Sequence, residues 1–355
     1  MSAKKPGGQS RFEVIRRAAL RQHPERIPFF LNTWPGVWKQ HPQLLDVLRE
    51  RGLGDWQHDF TKYYGYRDPE QVGHGPRGYV TPFGARVESL DGADIGQPVE
   101  HPLGDGFGPL ESGAWRPPES PRPEGPELER LRRDLDEMER AGYPRKAPVY
   151  CIMHELVALR GFENTMVDLC DRSPSWLRLV DAVVDYCVGT ARLAAAAGAQ
   201  IAHMGDDWGT QTALYCRPAV WREVFGPLYA RIVREARRTG AIFYFHSDGH
   251  VADVIPDLID MGVDIVNPQL SCHDWPELRD AFGGRACIAV DLDRQHVLAR
   301  GSPAEIKEHV HKATEFFGSP EGGFIIHAEL SPDMSWEQVV AVLDGYEECA
   351  RRSAD

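Results

Sequence analysis

The hexapeptide Phe-His-Ser-Asp-Gly-His at residues 245–250 brings two imidazoles and a carboxylate together directly after an apolar run. Such groups bind divalent metal ions, transfer protons, or simply hold a loop at the end of a strand. An imidazole and carboxylate set favours a borderline or hard metal ion. The segment therefore predicts a reactive site, provided that other elements carry similar residues to the same place.

Five further segments place reactive side chains where a short apolar stretch ends. They are CIMHE (151–155), HMGDDWGTQ (203–211), NPQLSCHD (267–274), VDLDRQH (290–296) and IIHAELSPD (325–333). One such residue alone is usually a loop cap or a hydrogen-bonded core residue. Six such segments in succession predict a single active-site rim.

The elements that must position this rim alternate regularly from about residue 127 onward. A strand is predicted at 148–153, and a helix at 303–317, where Ser302 precedes a proline at the first helical position. Short apolar strands alternating with helices predict an α/β fold with a parallel sheet covered on both faces. The number of units favours a single (β/α)8 TIM barrel, whose active site lies at the carboxyl ends of the strands.

The domain organisation is predicted from local composition. Residues 1–10 are expected to form a disordered tail, and residues 11–355 one barrel domain. The stretch 60–126 contains clusters of glycine and proline, and we interpret it as an N-terminal decorated insertion with a hairpin at 79–87. The match of GHGPRG (73–78) to a glycine-rich nucleotide-binding turn opens no helix, so we interpret it as a chance match.

Composition limits the classes of partner. The 355 residues are 42% hydrophobic and carry a formal net charge of -13, which argues against binding to nucleic acid or to an anionic membrane. The seven cysteines form no CxxC or CxC pair, as expected for reduced thiols. Neither a signal peptide nor a long apolar run is evident, so we expect a soluble, cytoplasmic protein.

Several segments resemble the uroporphyrinogen decarboxylase superfamily, which includes the decarboxylase of haem synthesis and cobalamin-linked methyltransferases. They are LRGFENTMVDL (159–169), GDDWGTQ (205–211), FHSDGH (245–250), LIDMGVDIVNPQ (258–269) and DRQHVLARGSPAEIKEHV (293–310). Their order and spacing match the family. The resemblance covers most of the chain, is strongest over about 150–345, and implies a (β/α)8 barrel.

Within the superfamily, the resemblance is closer to the methyltransferase-like branch. The decarboxylases grip tetrapyrrole propionates with an arginine-rich loop, whereas the corresponding stretch here, 30–38, has no arginine. The methyltransferases bind zinc through a His-x-Cys-Gly segment and a later cysteine. Here His246 and Gly249 match that segment, but Asp248 takes the first cysteine position and Ala328, beside Glu329, takes the second.

The resemblance therefore implies a divalent-metal site in which His246, Asp248 and Glu329 replace the usual His/Cys/Cys set. Zinc is the expected ion and a harder metal is the alternative. The other site residues are predicted from their places on the rim and in the N-terminal region. Catalytic roles are predicted for Asp206, Asp207, His250, Asp291 and His327, and substrate contacts for Trp34, Tyr66, His154 and Gln211.

The leading functional prediction is a divalent-metal-dependent methyltransferase that performs corrinoid-linked methyl transfer or demethylation on a small molecule. The corrinoid is expected on a separate protein, and a homodimer is expected because family members often form one. The first alternative is a metal-free lyase that decarboxylates a porphyrinogen or another small carboxylate. The second is a non-catalytic binding barrel, which the carboxylate-rich rim disfavours because unneeded charges destabilise a pocket.

Overall fold

The computed structural model describes residues 8–57, 78–88 and 96–352. The strands are β1 (Phe29–Thr33), β2 (Trp56–Gln57), β3 (Gly78–Val80), β4 (Arg86–Glu88), β5 (Gln97–Glu100), β6 (Lys146–Pro148), β7 (Ile201–Gly205), β8 (Ile242–Ser247), β9 (Ile265–Pro268), β10 (Cys287–Asp291) and β11 (Phe324–Leu330). The α-helices are α1 (Arg11–Ala19), α2 (Pro35–Gln40), α3 (Leu44–Arg51), α4 (Gly108–Ser112), α5 (Gly125–Arg140), α6 (Met153–Arg160), α7 (Phe162–Asp171), α8 (Pro174–Ala196), α9 (Pro218–Val224), α10 (Gly226–Ala236), α11 (Ile255–Asp260), α12 (Trp275–Phe282), α13 (Pro303–Phe317) and α14 (Trp336–Arg352).

Eight strands form one parallel sheet in the order β2-β1-β11-β10-β9-β8-β7-β6. The sheet curls so that its two end strands approach each other. The Lys146 ammonium of β6 lies 3.8 Å from the ring centroid of Trp56 in β2. Aromatic and aliphatic side chains, among them Phe30, Tyr244 and Ile325, form a buried cluster with Trp56. These features confirm the predicted (β/α)8 barrel.

The described part of the predicted insertion contains a separate antiparallel sheet in the order β3-β4-β5. Its first two strands are the hairpin predicted at 79–87, with Tyr79 opposite Val87. The insertion contacts the barrel through Thr81, whose hydroxyl donates to the buried Glu155 carboxylate of α6 at 3.0 Å. Most of the predicted disordered tail, 1–7, lies outside the described residues.

Two predicted elements had opposite outcomes. The helix predicted at 303–317 is confirmed as α13, and Ser302 and Glu305 form a capping box at its start. The strand predicted at 148–153 is wrong, because β6 ends at Pro148 and Met153 begins α6. The physical reason lies in a distant residue: the carboxylate of Asp206 accepts the backbone amides at the start of α6 and fixes a helix there.

No helix within the described ranges is long and apolar enough to cross a membrane. The cytoplasmic location, the homodimer and the division into a single barrel domain with an insertion stay predictions. What the fold does provide is one set of parallel strands whose carboxyl ends meet at one mouth, where a barrel of this kind places its active site.

Candidate active site

Three side chains at the barrel mouth bring potential metal-ligand atoms together. One ligand atom each from Asp207, His246 and Asp248 lies within 4.8 Å of the other two, and we call these residues the mouth cluster. His246 belongs to β8, Asp248 follows that strand, and Asp207 follows β7. The Nε2 atom of His246 lies 3.4 Å from Asp248 Oδ1 and 3.8 Å from Asp207 Oδ1.

The orientation of His246 is fixed from the opposite side of its ring. Asn267 donates its side-chain amide to the carbonyl of Ala289 at 2.6 Å, so its Oδ1 faces His246 Nδ1 at 2.8 Å. His246 must therefore donate from Nδ1, which leaves Nε2 facing the carboxylates. Burial lowers the pKa of His246, but the carboxylates of Asp248 and Asp207 outweigh it and raise that pKa to about 9.

Two glycines allow the loops of the mouth cluster to touch. Gly249 has a φ of 76°, and a Cβ there would lie 2.1 Å from the carbonyl oxygen of Gly209. A Cβ on Gly209 would lie 2.4 Å from the amide nitrogen of His250. Only glycine permits this close backbone approach, which holds the Asp207 loop against the Asp248 loop. The Asp248 amide then donates to Asp207 Oδ1 at 2.7 Å.

Arg294 also lies at this candidate site, although it was not among the residues predicted from the sequence. Its guanidinium pairs with Asp248, lies 3.0 Å from Glu329 Oε1, and lies 3.6 Å from Asp291 Oδ2. It begins a single π-helical segment, Arg294–Leu298, a conformation often found at functional sites. The signal available in the sequence was an arginine three residues after the strand-end carboxylate of Asp291.

Glu329, predicted as a metal ligand, contacts two other side chains of the protein. Its Oε1 accepts from the indole Nε1 of Trp34 at 2.9 Å as well as from Arg294. Trp34, predicted to contact substrate, thus contacts a carboxylate of the protein. Among the described residues, the group of three close ligand atoms on this side contains Asp207 and not Glu329.

Asp291 and His327 lie beneath Arg294 in the barrel interior. They are 1% and 2% exposed, and His327 Nδ1 is 3.3 Å from Asp291 Oδ1. This pair is at ion-pair distance but out of hydrogen-bond alignment, so both ring nitrogens of His327 and Oδ1 of Asp291 lack a hydrogen bond within the described ranges. Buried polar atoms of this kind are costly unless a ligand or an ordered water satisfies them.

Asp206 and Asp207 have opposite environments although they are neighbours. Asp206 is fully buried and accepts three backbone amides, of Ile152, Met153 and His154, together with the hydroxyl of Tyr229. This arrangement is that of a helix cap. Burial is the main cause that raises the pKa of Asp206.

Asp207 faces the mouth and contacts His154, a predicted substrate-binding residue. Its Oδ2 lies 2.9 Å from His154 Nε2. Burial raises the pKa of Asp207, but the charge and hydrogen bond of His154 outweigh it, so the pKa lies below its usual value. Half of the His154 side chain is exposed, so the pair is open to solvent at the mouth.

Two more of the predicted residues, His250 and Gln211, lie outside the mouth cluster. His250 stacks on His273 with ring centroids 4.8 Å apart. Gln211 is exposed and accepts from the thiol of Cys272 at 3.5 Å. Tyr66 lies outside the described residues. His250 and Gln211 therefore belong to the rim around the cluster.

Comparisons with known proteins give a family match and two similar structures. The profile of the family described as "Uroporphyrinogen decarboxylase (URO-D)" matches residues 147–348. The fold is similar to that of a methyltransferase from Methanosarcina mazei, with a TM-score of 0.64 and 14% identity over 96% of this chain and 98% of that chain. A Xanthomonas albilineans dihydropteroate synthase gives a TM-score of 0.33 and 15% identity over 47% of this chain and 61% of that chain. No curated protein matches the chain significantly.

Proposed function

Because the chain belongs to the uroporphyrinogen decarboxylase family, we propose that it is a metal-dependent enzyme that transfers a methyl group between a small molecule and a corrinoid on a separate protein. The full-length fold similarity to a methyltransferase supports this branch of the family. The stretch 30–38 supports it as well, because it lacks the arginines that a tetrapyrrole substrate with many carboxylates requires.

The observation that carries the proposal is the mouth cluster, with one imidazole and two carboxylates within 4.8 Å. This donor set fits a divalent ion, because three protein ligands leave a coordination position open for substrate. His246 already presents Nε2 to that position, since Asn267 holds its other nitrogen. Asp207 thus takes the ligand role that the sequence prediction gave to Glu329, and zinc or a harder metal suits the set.

The charges around the mouth support a bound cation. The carboxylates of Asp248, Asp291 and Glu329 surround the guanidinium of Arg294, with exposures from 1% to 35%, and Asp207 lies beside Asp248 in the mouth cluster. Grouped carboxylates repel each other unless a cation or a proton offsets them. A divalent ion in the mouth cluster offsets two of these charges without adding a proton.

A bound ion would supply Lewis acidity, polarising an oxygen or sulfur atom of the substrate. The residues of this chain have separate tasks. Arg294 pairs with both Asp248 and Glu329 and fixes the positions of the two carboxylates. Glu329, oriented by the Trp34 indole, is the group placed to accept or return a proton at the substrate.

A metal-free decarboxylase of a small carboxylate is the second candidate, and Arg294 favours it. A buried guanidinium is the usual anchor for a substrate carboxylate. In this chain, however, the same guanidinium already contacts Asp248, Asp291 and Glu329. An incoming anion would have to displace one of these carboxylates, and for this reason the metal-dependent function stands first.

The proposal is tested by methylcobalamin consumption with a panel of small thiols, phenols and alcohols as methyl acceptors. Chelated protein is compared with protein reloaded with Zn²⁺ or Mn²⁺. We expect turnover only after reloading, its loss in His246→Ala, and its retention in the matched variant His296→Ala, whose imidazole is exposed away from the cluster. Equal turnover by chelated protein, or decarboxylation of uroporphyrinogen without metal, would overturn the proposal.

A further inference from the structure

A second group of potential ligands lies where β6 leads into α6. Ligand atoms of Cys151, His154 and Asp206 lie within 4.8 Å of one another, and we call these residues the junction cluster. Unlike the mouth cluster, this group contains sulfur, so its chemistry differs from that of the set at Asp207.

His154 has the arrangement of a metal-binding histidine. Its Nε2 lies 2.9 Å from Asp207 Oδ2, so in the neutral ring Nε2 carries the proton and donates it to the carboxylate. Nδ1 is then left with a lone pair for a cation. A histidine that binds a metal almost always donates its other N–H to a carboxylate or carbonyl in this way. His246 and Asn267 repeat the arrangement in the mouth cluster.

The other two members retain capacity for a ligand. Asp206 Oδ1 accepts from the His154 amide, while Oδ2 accepts from two further amides and from Tyr229. A carboxylate has about four acceptor positions, and Oδ1 uses one of its two within the described contacts. Cys151 is partly buried and donates its thiol proton to the carbonyl of Gly205 at 2.7 Å.

We infer that the junction cluster is a second cation site, selective for a thiophilic divalent ion of the zinc and cobalt class. Binding forms a bond between the metal and Cys151 Sγ, and the thiol proton leaves to solvent with no oxidation or reduction. Asp207 joins the two sites, because Oδ1 faces the mouth cluster and Oδ2 orients His154. The site places a sulfur ligand near the mouth, although positions 248 and 328 have none.

Titration of the chelated full-length protein with Co²⁺ tests the site, because a thiolate ligand gives a charge-transfer band in the near ultraviolet. We expect the band to saturate with one Co²⁺ per chain and to disappear in Cys151→Ser. His154→Gln changes a half-exposed side chain and so tests the site without disturbing the core; we expect at least about tenfold weaker binding. Cys170→Ser and Cys216→Ser should keep the band.

The outcomes separate this inference from the proposed function. Absence of the band in wild type, or its persistence in Cys151→Ser, overturns the junction site whatever happens at the mouth cluster. His246→Ala should lose one equivalent of Co²⁺ and keep the band. If His246→Ala binds as much Co²⁺ as wild type while Cys151→Ser loses the band, the junction site stands and the metal site of the proposed function fails.

Discussion

Asp206 and Asp207 are consecutive and chemically identical, yet the fold gives them different tasks. Asp206 turns inward, is fully buried, and accepts three amides that begin α6. Asp207 turns to the mouth and contacts His154, His246 and the Asp248 amide. The comparison teaches that a rim carboxylate whose oxygens mainly accept helix amides serves the fold first, whereas one that mainly faces imidazoles at the mouth is available to a ligand.

A third carboxylate, Glu155, lies between these extremes. It is 3% exposed and accepts hydrogen bonds from the hydroxyls of Tyr150 and Thr81. Burial raises its pKa to about 7, against the opposing effect of those hydroxyls. The two hydroxyl donors thus do not offset the loss of water around this buried carboxylate.

The largest expected effect is on stability and concerns Asp206. Replacement of Asp206 by alanine leaves three amides and the Tyr229 hydroxyl without their acceptor, at a cost of about 3–5 kcal/mol. The matched variant Asp207→Ala should cost about 1 kcal/mol, because its partners can turn to water. Urea unfolding measures both values, and equal costs would remove the distinction between the two residues.

The second effect is on metal binding at the mouth cluster, for which Asp207 matters more than Asp206. Asp207→Asn should weaken binding of Mn²⁺, a hard ion suited to the mouth cluster, by about 100-fold. Asp293→Asn serves as the control, because that carboxylate caps the following segment outside the cluster. Isothermal titration with Mn²⁺ measures the affinities. Unchanged affinity in Asp207→Asn would show that the reactive carboxylate is a different one.

The smallest effect is the pH dependence caused by Glu155. Its pKa of about 7 in the folded protein exceeds that of an unfolded chain, so the folded state holds the extra proton between about pH 4.5 and 7. The contribution of Glu155 to the free energy of unfolding therefore falls as the pH rises from about 4.5 to 7. As the pH rises from 4.5 to 8, the free energy of unfolding of Glu155→Gln should increase by about 2–3 kcal/mol relative to that of wild type. Urea unfolding at each pH measures this difference. A difference that is independent of pH would contradict the raised pKa.

The sequence was sufficient to predict the barrel and much of its rim. Periodicity predicted α13, and the parallel order of strands follows from the alternation of short apolar runs with helices. These predictions of the fold held because they depend on local pattern and on a general property of parallel barrels. The polar strand ends also pointed to His246, Asp248 and Asp207, whose ligand atoms the structure brings close together, and the roles of these residues stay predictions.

The error at 148–153 has a physical cause, which is a partner distant in sequence. The strand predicted there is a helix start because Asp206, more than fifty residues away, accepts its amides. No local pattern joins Glu329 to Arg294 and Trp34 either, although both donate hydrogen bonds to it. Side-chain partners of this kind become visible only when the fold brings them together.

The central claim is that Asp207, His246 and Asp248 bind a divalent metal ion and that Glu329 does not. Elemental analysis of protein purified without chelator tests it most directly, on wild type, Asp248→Ala and Glu329→Ala. We predict that Asp248→Ala loses about one equivalent of metal relative to wild type and that Glu329→Ala retains it. A wild-type protein without metal, or a loss in Glu329→Ala with none in Asp248→Ala, would contradict the account.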